Sequence, residues 1–257
     1  MIKLLRTLSF DLFKNHTKAF VLIVALRVLG PSAGLMYILF LFMGSFTIID
    51  LNLSENTSLL FDVFVSVLFF LQHSVLIRRG VRQRLTKVIP DEFYNAFYGI
   101  TSIVCLFLVM IFWQKSQFPI AIADDFSFWL LRASFFLSII GFYWGVRSIG
   151  SFDALGVKPI RDHIYKKPDK PWQLSEKGPY RWVRHPLYLF VLILIWSCPV
   201  LTIDRMIFNI MWTFWIAIGT YLEDRDLHRE FGSQYLEYSS RVPMLIPYRI
   251  PRNKAME

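Results

Sequence analysis

The stretch richest in reactive side chains is GPYRWVRHPLY at 178–188, which lies directly before an apolar run. Proline is tolerated in the first turn of a helix but not in its interior, so a helix is predicted to begin at Pro186, with His185 at its cap. The first N–H groups of a helix lack partners and carry partial positive charge. With Arg181 and Arg184 beside them, they predict a small anion-binding site.

A second polar set closes the last apolar run, in the segment TYLEDRD at 220–226. A helix C-terminus favours cations, so the acids Glu223, Asp224 and Asp226 are unfavourable there unless they pair with one. Arg184 is one candidate partner, and an ammonium group on a ligand is the other. Glu223 lies nearest the apolar run and is expected to face that ligand. A ligand with both a carboxylate and an ammonium, such as an amino-acid group, fits these two ends.

The arginines and tyrosines of the first stretch also have a purely structural explanation. Arginines that flank a membrane helix commonly fix its orientation, and tyrosines commonly lie at the lipid–water interface. The compact Tyr-Arg-x-x-Arg-His-Pro-x-Tyr arrangement favours a binding site, because orientation alone requires no His-Pro.

Membrane helices must position both segments. The chain of 257 residues is 55% hydrophobic and 17% aromatic, with a mean hydropathy of +0.45. The predicted fold is therefore an all-α integral membrane helical bundle of about five to six transmembrane helices. The last two, joined by a short connection, are predicted to form an antiparallel hairpin. The apolar runs lie at 31–49, 59–77, 93–113, 126–146, 186–201 and 205–222.

The distribution of positive charge predicts the orientation. The net charge is +9, and lysines and arginines collect in the N-terminal segment, the 78–92 loop, the 148–185 connection and the C-terminal tail. The positive-inside rule assigns these segments to the cytoplasm, with both termini inside and the loops at 50–58, 114–125 and 202–204 outside. A membrane location is expected, and the charge requires no nucleic-acid partner.

The two polar segments carry a resemblance to a known family. GPYRWVRHPLYL together with LEDRDLHREFGSQYLEYSSRVPMLIP resembles the isoprenylcysteine carboxyl methyltransferase and phospholipid methyltransferase superfamily of integral membrane enzymes. FLQHSVLIRRGVRQRLTKVIP at 70–90 and SFDALGVKP at 151–159 are similar to its methanethiol S-methyltransferase branch. The resemblance covers about residues 59–247 and implies a helical hairpin and a cytoplasmic tail that form a cofactor pocket.

The resemblance implies methyl transfer from S-adenosyl-L-methionine to a small lipophilic thiol, with methanethiol giving dimethyl sulfide. The methionine carboxylate is expected near Arg184 and His185, and its ammonium near Glu223. The implied cofactor-binding residues are Tyr180, Arg184, His185, Pro186, Tyr188, Leu189 and Glu223. The implied substrate-binding or lid residues are Gln72, Arg181, Tyr235, Tyr238 and Arg241.

The nucleophile in such a reaction is the thiolate, so a side chain must accept the thiol proton. His73, His185 and Asp153 are the candidate catalytic residues, by residue type and by predicted side of the membrane. Thiolate and sulfonium react to neutral products, so a dry site at the membrane boundary does not penalise the step.

Two positions depart from the family pattern. Phe190 stands where a glycine often follows the HPxYL segment, which is expected to narrow the site. The family often has two glutamates where this chain has Glu223 and Asp224, a mild change.

The predicted domains are an N-terminal region at 1–58, with an interfacial segment and the first membrane helix, and a methyltransferase domain at 59–257. Gly30-Pro31-Ser32 is expected to separate the interfacial segment from the membrane helix. The catalytic hairpin is placed at 186–222. No metal site is predicted, and the cysteines are expected to be buried small side chains.

Other functions remain open from the sequence. Within the superfamily, the alternatives are methylation of a prenylcysteine carboxylate or of a lipid amine. Sterol-type reductases, which use NADPH, share a similar RHPxY arrangement. A transporter or assembly factor is the alternative that involves no enzyme. The oligomeric state is left open.

Overall fold

The computed structural model describes residues 17–150, 153–168 and 173–249. This part of the chain contains nine α-helices, one short 3-10 turn at Gly178–Arg181 and one two-stranded sheet. The helices are α1 (Thr17–Met43), α2 (Glu55–Leu76), α3 (Arg79–Leu85), α4 (Asp91–Phe112), α5 (Asp125–Ile149), α6 (Val157–Ile164), α7 (Pro186–Trp196), α8 (Ile203–Phe231) and α9 (Ser233–Arg241). The strands are β1 (Pro119–Ile122) and β2 (Val200–Thr202).

Four of the described helices, α1, α2, α4 and α5, are long and apolar enough to cross a membrane. Together with the helical content, they confirm the predicted all-α integral membrane bundle. The run predicted at 186–201 is helical only as far as Trp196, so α7 has 11 residues, fewer than a bilayer crossing requires. Helix α8 has 29 residues, but its first turns bury Asp204, Arg205 and Asn209.

The expected break at Gly30-Pro31-Ser32 does not occur, because α1 continues through all three residues. Proline is tolerated inside membrane helices where neighbouring groups take up the bonds it frees. Ser32 Oγ adds a side-chain bond to the carbonyl of Val28 at 2.8 Å, one residue past the Arg27 carbonyl to which Pro31 has no N–H to donate. A Cβ added at Gly30 would lie 2.4 Å from Leu155 Cδ2, so the glycine serves close packing and does not end the helix.

The described residues fall into two compact units. The first comprises residues 17–38, 64–113 and 153–168. Apolar faces of α1, α4 and α6 form its core, which buries Ala19, Ile23, Leu26, Ala33, Ala96, Ile103, Ile160 and Ile164.

The second unit comprises residues 39–63, 114–150 and 173–249. Its three predicted outer loops meet at one end. Strands β1 and β2 pair antiparallel there. The side chain of Gln114 donates to the carbonyl of Ile49 at 2.8 Å and accepts from the N–H of Leu51 at 3.1 Å. The three loops lie together, as expected if all three are on the same side of the membrane.

Candidate functional site

The RHP motif and the tail motif VPM are joined through their backbones. The N–H of Arg184 donates to the carbonyl of Pro243 at 2.9 Å, and that of His185 to Met244 at 3.1 Å. The start of α7 is therefore tied to the segment that follows α9. This pairing explains why the two motifs occur together in one sequence.

Asp224, near the C-terminal end of α8, is the centre of this region. Its buried carboxylate accepts from Arg184 Nε and Nη2 at 2.9 and 3.0 Å, and from Tyr235 Oη at 2.6 Å. His185 Nε2 lies 3.1 Å from the same carboxylate. Burial raises the pKa of Asp224, but the hydrogen bonds from His185, Arg184 and Tyr235 outweigh it and hold the pKa well below its ordinary value. The ionised carboxylate can only accept, so His185 Nε2 carries a hydrogen.

Arg184 links the start of α7 to α8 and to α9 through hydrogen bonds. Besides its two bonds to Asp224, its Nη1 donates to the carbonyls of Ser239 and Val242 at 3.1 and 2.6 Å. Burial lowers the pKa of Arg184, but the carboxylate of Asp224 raises it further, above its ordinary value. Its expected contact with a ligand carboxylate stays a prediction.

Glu223 lies on the exposed side of α8, next to Asp224. Tyr188 Oη donates to Glu223 Oε2 at 2.5 Å, which orients the carboxylate towards the start of α7. Pro186 is the first residue of α7 and His185 is its N-cap residue, as predicted, although the His185 side chain forms no capping hydrogen bond. The structure thus brings together a carboxylate and a helix start, the two features expected to bind an amino-acid group.

The predicted lid residues divide into two kinds. Tyr235 and Tyr238 are fully buried, and Tyr238 Oη donates to the carbonyl of Tyr180 at 2.7 Å. Burial raises the pKa of all three phenols, so the tyrosines remain neutral and hold the tail in place. Arg241 forms surface ion pairs with Glu176 and Glu237, and Arg181 is exposed.

The departure at Phe190 has a partner on α5. A Cβ added at Gly141 would lie 2.3 Å from Phe190 Cε1, so the ring fills the space above this glycine. Leu187 packs on Gly145 in the same way, one turn along α5. Leu189 begins the regular hydrogen bonding of α7, donating to the carbonyl of His185 at 3.2 Å.

The QHS segment faces α4 inside the first unit. Tyr98 Oη lies 2.7 Å from His73 Nε2 and 3.1 Å from Nδ1. Gln72 Nε2 donates to Thr101 Oγ1 at 2.9 Å and to Ser102 Oγ at 3.3 Å. Sequence reasoning missed Tyr98 and Thr101, although their spacing of three places both on one face of a helix.

The FDxxG segment builds the start of α6. Asp153 Oδ1 and Oδ2 accept from the N–H groups of Val157 and Lys158 at 3.1 and 2.7 Å. Gly156 has φ +67, and a Cβ there would lie 2.3 Å from the carbonyl carbon of Asn95. The aspartate therefore caps a helix, and the glycine permits close backbone contact. Residues 151 and 152 lie outside the described part of the chain.

The candidate residues are distributed over both units. Gln72, His73 and Asp153 belong to the first unit, and the predicted residues from Tyr180 onwards belong to the second. Within the described ranges, no group of three or more His, Cys, Asp or Glu side chains is arranged to hold a metal ion.

Comparison with known proteins places the chain in a family. The family described as NnrU protein matches residues 63–218, more than half of the sequence. The chain belongs to this family. Its relatives include proteins named methanethiol S-methyltransferase, which supports the branch that the sequence motifs indicated. No solved structure matches the chain.

Three relatives illustrate the range of the family. The methanethiol S-methyltransferase of Pseudomonas deceptionensis is 33% identical over 197 residues, covering 74% of this chain and 73% of that protein. The one from Crocosphaera subtropica is 30% identical over 197 residues, covering 75% and 76%. Nurim of Xenopus laevis is 24% identical over 204 residues, covering 75% and 71%.

Proposed function

We propose that this chain is a membrane enzyme that methylates methanethiol to dimethyl sulfide, with S-adenosyl-L-methionine as methyl donor. The observation that carries the proposal is the similarity to methanethiol S-methyltransferases, 33% identical over 74% of the chain. The small thiol substrate dissolves in lipid, so it can reach an enzyme embedded in a membrane.

The residues present fit this methyl donor at its amino-acid end. The exposed carboxylate of Glu223 suits an ammonium, and the start of α7 suits a carboxylate. When bound, S-adenosyl-L-methionine would supply an electrophilic methyl group. A thiolate would attack this methyl carbon in line, and the sulfonium sulfur would leave as a thioether. Tyr188 orients Glu223, while Arg184 and Asp224 fix the helix ends that carry both groups.

Of the three candidate proton acceptors, the contacts favour His73. Both carboxylate oxygens of Asp153 accept helix N–H groups, so protonation would weaken the cap of α6. His185 Nε2 donates a hydrogen bond to Asp224, so His185 would have to accept the thiol proton at Nδ1. His73 lies in the apolar helix α2 beside Tyr98, where a small lipophilic thiol dissolved in the membrane can approach a neutral imidazole.

The proposed location is the bacterial cytoplasmic membrane, with both termini on the cytoplasmic side. The positive-inside distribution and the shared placement of the three outer loops support this orientation. The first 16 residues and the last 8 lie outside the described part of the chain. The division at 58 and 59 into an N-terminal region and a methyltransferase domain is likewise part of the proposal.

Headspace gas chromatography tests the proposal directly. Membranes that contain the chain would receive S-adenosyl-L-methionine and methanethiol, a prenylcysteine analogue or a phospholipid amine in parallel. Of the three acceptors, only methanethiol is expected to be methylated, and its product is dimethyl sulfide. Methylation of the prenylcysteine or the amine in its place would move the chain to another branch of the superfamily. The absence of any methylated product would overturn the methyltransferase assignment.

A further inference from the structure

Only the NH₂ end of the Gln72 side-chain amide forms hydrogen bonds within the described residues. Its Nε2 donates to Thr101 and Ser102, whereas its Oε1 is buried and accepts no hydrogen bond within the described residues. A buried acceptor without a donor is unfavourable and is rare in native proteins. Gln72 Oε1 therefore lacks a hydrogen-bond donor.

The hydrogen bonds of Thr101 fix which end of the amide is unsatisfied. The hydroxyl of Thr101 gives its hydrogen to the carbonyls of Phe97 and Tyr98, both at 3.0 Å. Its oxygen can therefore only accept from Gln72, which requires the NH₂ end of the amide to face it. A flipped amide would set two acceptors against each other, so Oε1 points away from Thr101.

We propose that Gln72 Oε1 accepts a hydrogen bond from the S–H group of the thiol substrate, and that Thr101 is the positioning residue that orients it. This inference rests on the proposed function and names the group that binds the acceptor thiol. A thiol is a weak donor that fits an apolar surrounding better than water does. His73, the next residue along α2, faces the same helix α4 through Tyr98. The thiol proton then passes to the His73 imidazole, and the electron pair of the broken S–H bond stays on the sulfur as a thiolate.

The product offers a sharp test, because dimethyl sulfide has no S–H group. In the full-length protein, Gln72→Leu is expected to raise KM for methanethiol about three- to tenfold. The inhibition constant of dimethyl sulfide as product is expected to remain unchanged. Binding of S-adenosyl-L-methionine, measured by calorimetry, is expected to match wild type.

Companion variants separate hydrogen bonding from folding. Thr101→Val is expected to raise KM in the same selective way, and Thr101→Ser to retain the wild-type value. Gln83→Leu, an exposed glutamine of α3, serves as the matched control. If Gln72→Leu does not fold, the two Thr101 variants decide the question.

Two outcomes overturn the inference while leaving the proposed function intact. One is an unchanged KM in folded Gln72→Leu, and the other is an equal rise in KM and in the product inhibition constant, which indicates a change of pocket shape. If wild type makes no dimethyl sulfide, the proposed function itself fails, and this inference fails with it.

Discussion

At the scale of single residues, two neighbouring acids of α8 have different roles. Asp224 is buried and binds Arg184, His185 and Tyr235, whereas Glu223 is exposed and contacts Tyr188. Successive residues of a helix point about 100° apart, so the rotation of α8 decides which acid faces inward. The sequence located both acids and named Arg184 as a partner, but it could not supply that rotation.

Replacing Asp224 with asparagine is expected to release the tail. The variant leaves the largely buried Arg184 charge without its carboxylate, and breaking such a pair costs about 3 kcal/mol. The measurement is the rate of trypsin cleavage between α8 and the C-terminus, together with the melting temperature. The matched control is Asp226→Asn, which removes an ion pair at the surface. This variant should change neither the cleavage rate nor the melting temperature. Equal protection of both variants would contradict the role given to Asp224.

The tail should keep its protease resistance across the neutral pH range. The pKa of Asp224 lies below its ordinary value of about 3.9, so the stability from its ionised form is complete above that pH and is lost as the pH falls further. The pKa of Tyr235 lies above its ordinary value of about 10, so its contribution persists until the pH rises beyond that value. Cleavage rates corrected for protease activity should stay flat between about pH 5 and pH 9. A loss of protection near pH 6.5 would show instead that a histidine controls the tail.

At the scale of elements, α5 and α7 are fitted to each other by alternating small and large side chains. Gly141 receives Phe190, and Gly145 receives Leu187. The sequence showed the unusual phenylalanine and predicted a narrower site, but the glycines that receive these side chains lie on another helix. Such complementarity becomes visible only when the packing of the two helices is known.

Gly141→Ala should destabilise the protein, although alanine is the better helix former. The added methyl group would lie 2.3 Å from the Phe190 ring, and overpacking of this kind costs about 1–3 kcal/mol. The double variant with Phe190→Leu should recover most of the loss, because the smaller side chain vacates that space. Thermal unfolding of the three proteins in detergent measures the coupling. Additive losses in the double variant would contradict direct packing between these residues.

At the scale of the whole molecule, hydropathy was enough to predict a helical membrane bundle. The placement of the basic loops on one side stays a prediction. Hydropathy and charge did not predict that α1 continues through Pro31 or that α7 is short. They also did not predict the pairing of β1 with β2. The strands are only four and three residues long, and their partners are distant in sequence. Local patterns therefore carry little information about them.

Cysteine labelling tests the predicted orientation. In a background with Cys105 and Cys198 replaced by serine, Asn52→Cys should react with a membrane-impermeant maleimide in intact spheroplasts. Gln234→Cys, at an exposed position of α9, should react only after the membrane is opened. Reversed labelling would invert the topology and would place the tail and the RHP motif on the outer side.

The central claim is methyl transfer to a thiol, and isotope labelling tests it most directly. Membranes with the full-length chain would receive S-adenosyl-L-methionine carrying a trideuterated methyl group, and methanethiol, with headspace mass spectrometry of the gas. The account predicts dimethyl sulfide with one labelled methyl group, strongly reduced in Glu223→Gln and unchanged in Asp226→Asn. Dimethyl sulfide without label, or no more than membranes lacking the chain produce, would contradict it.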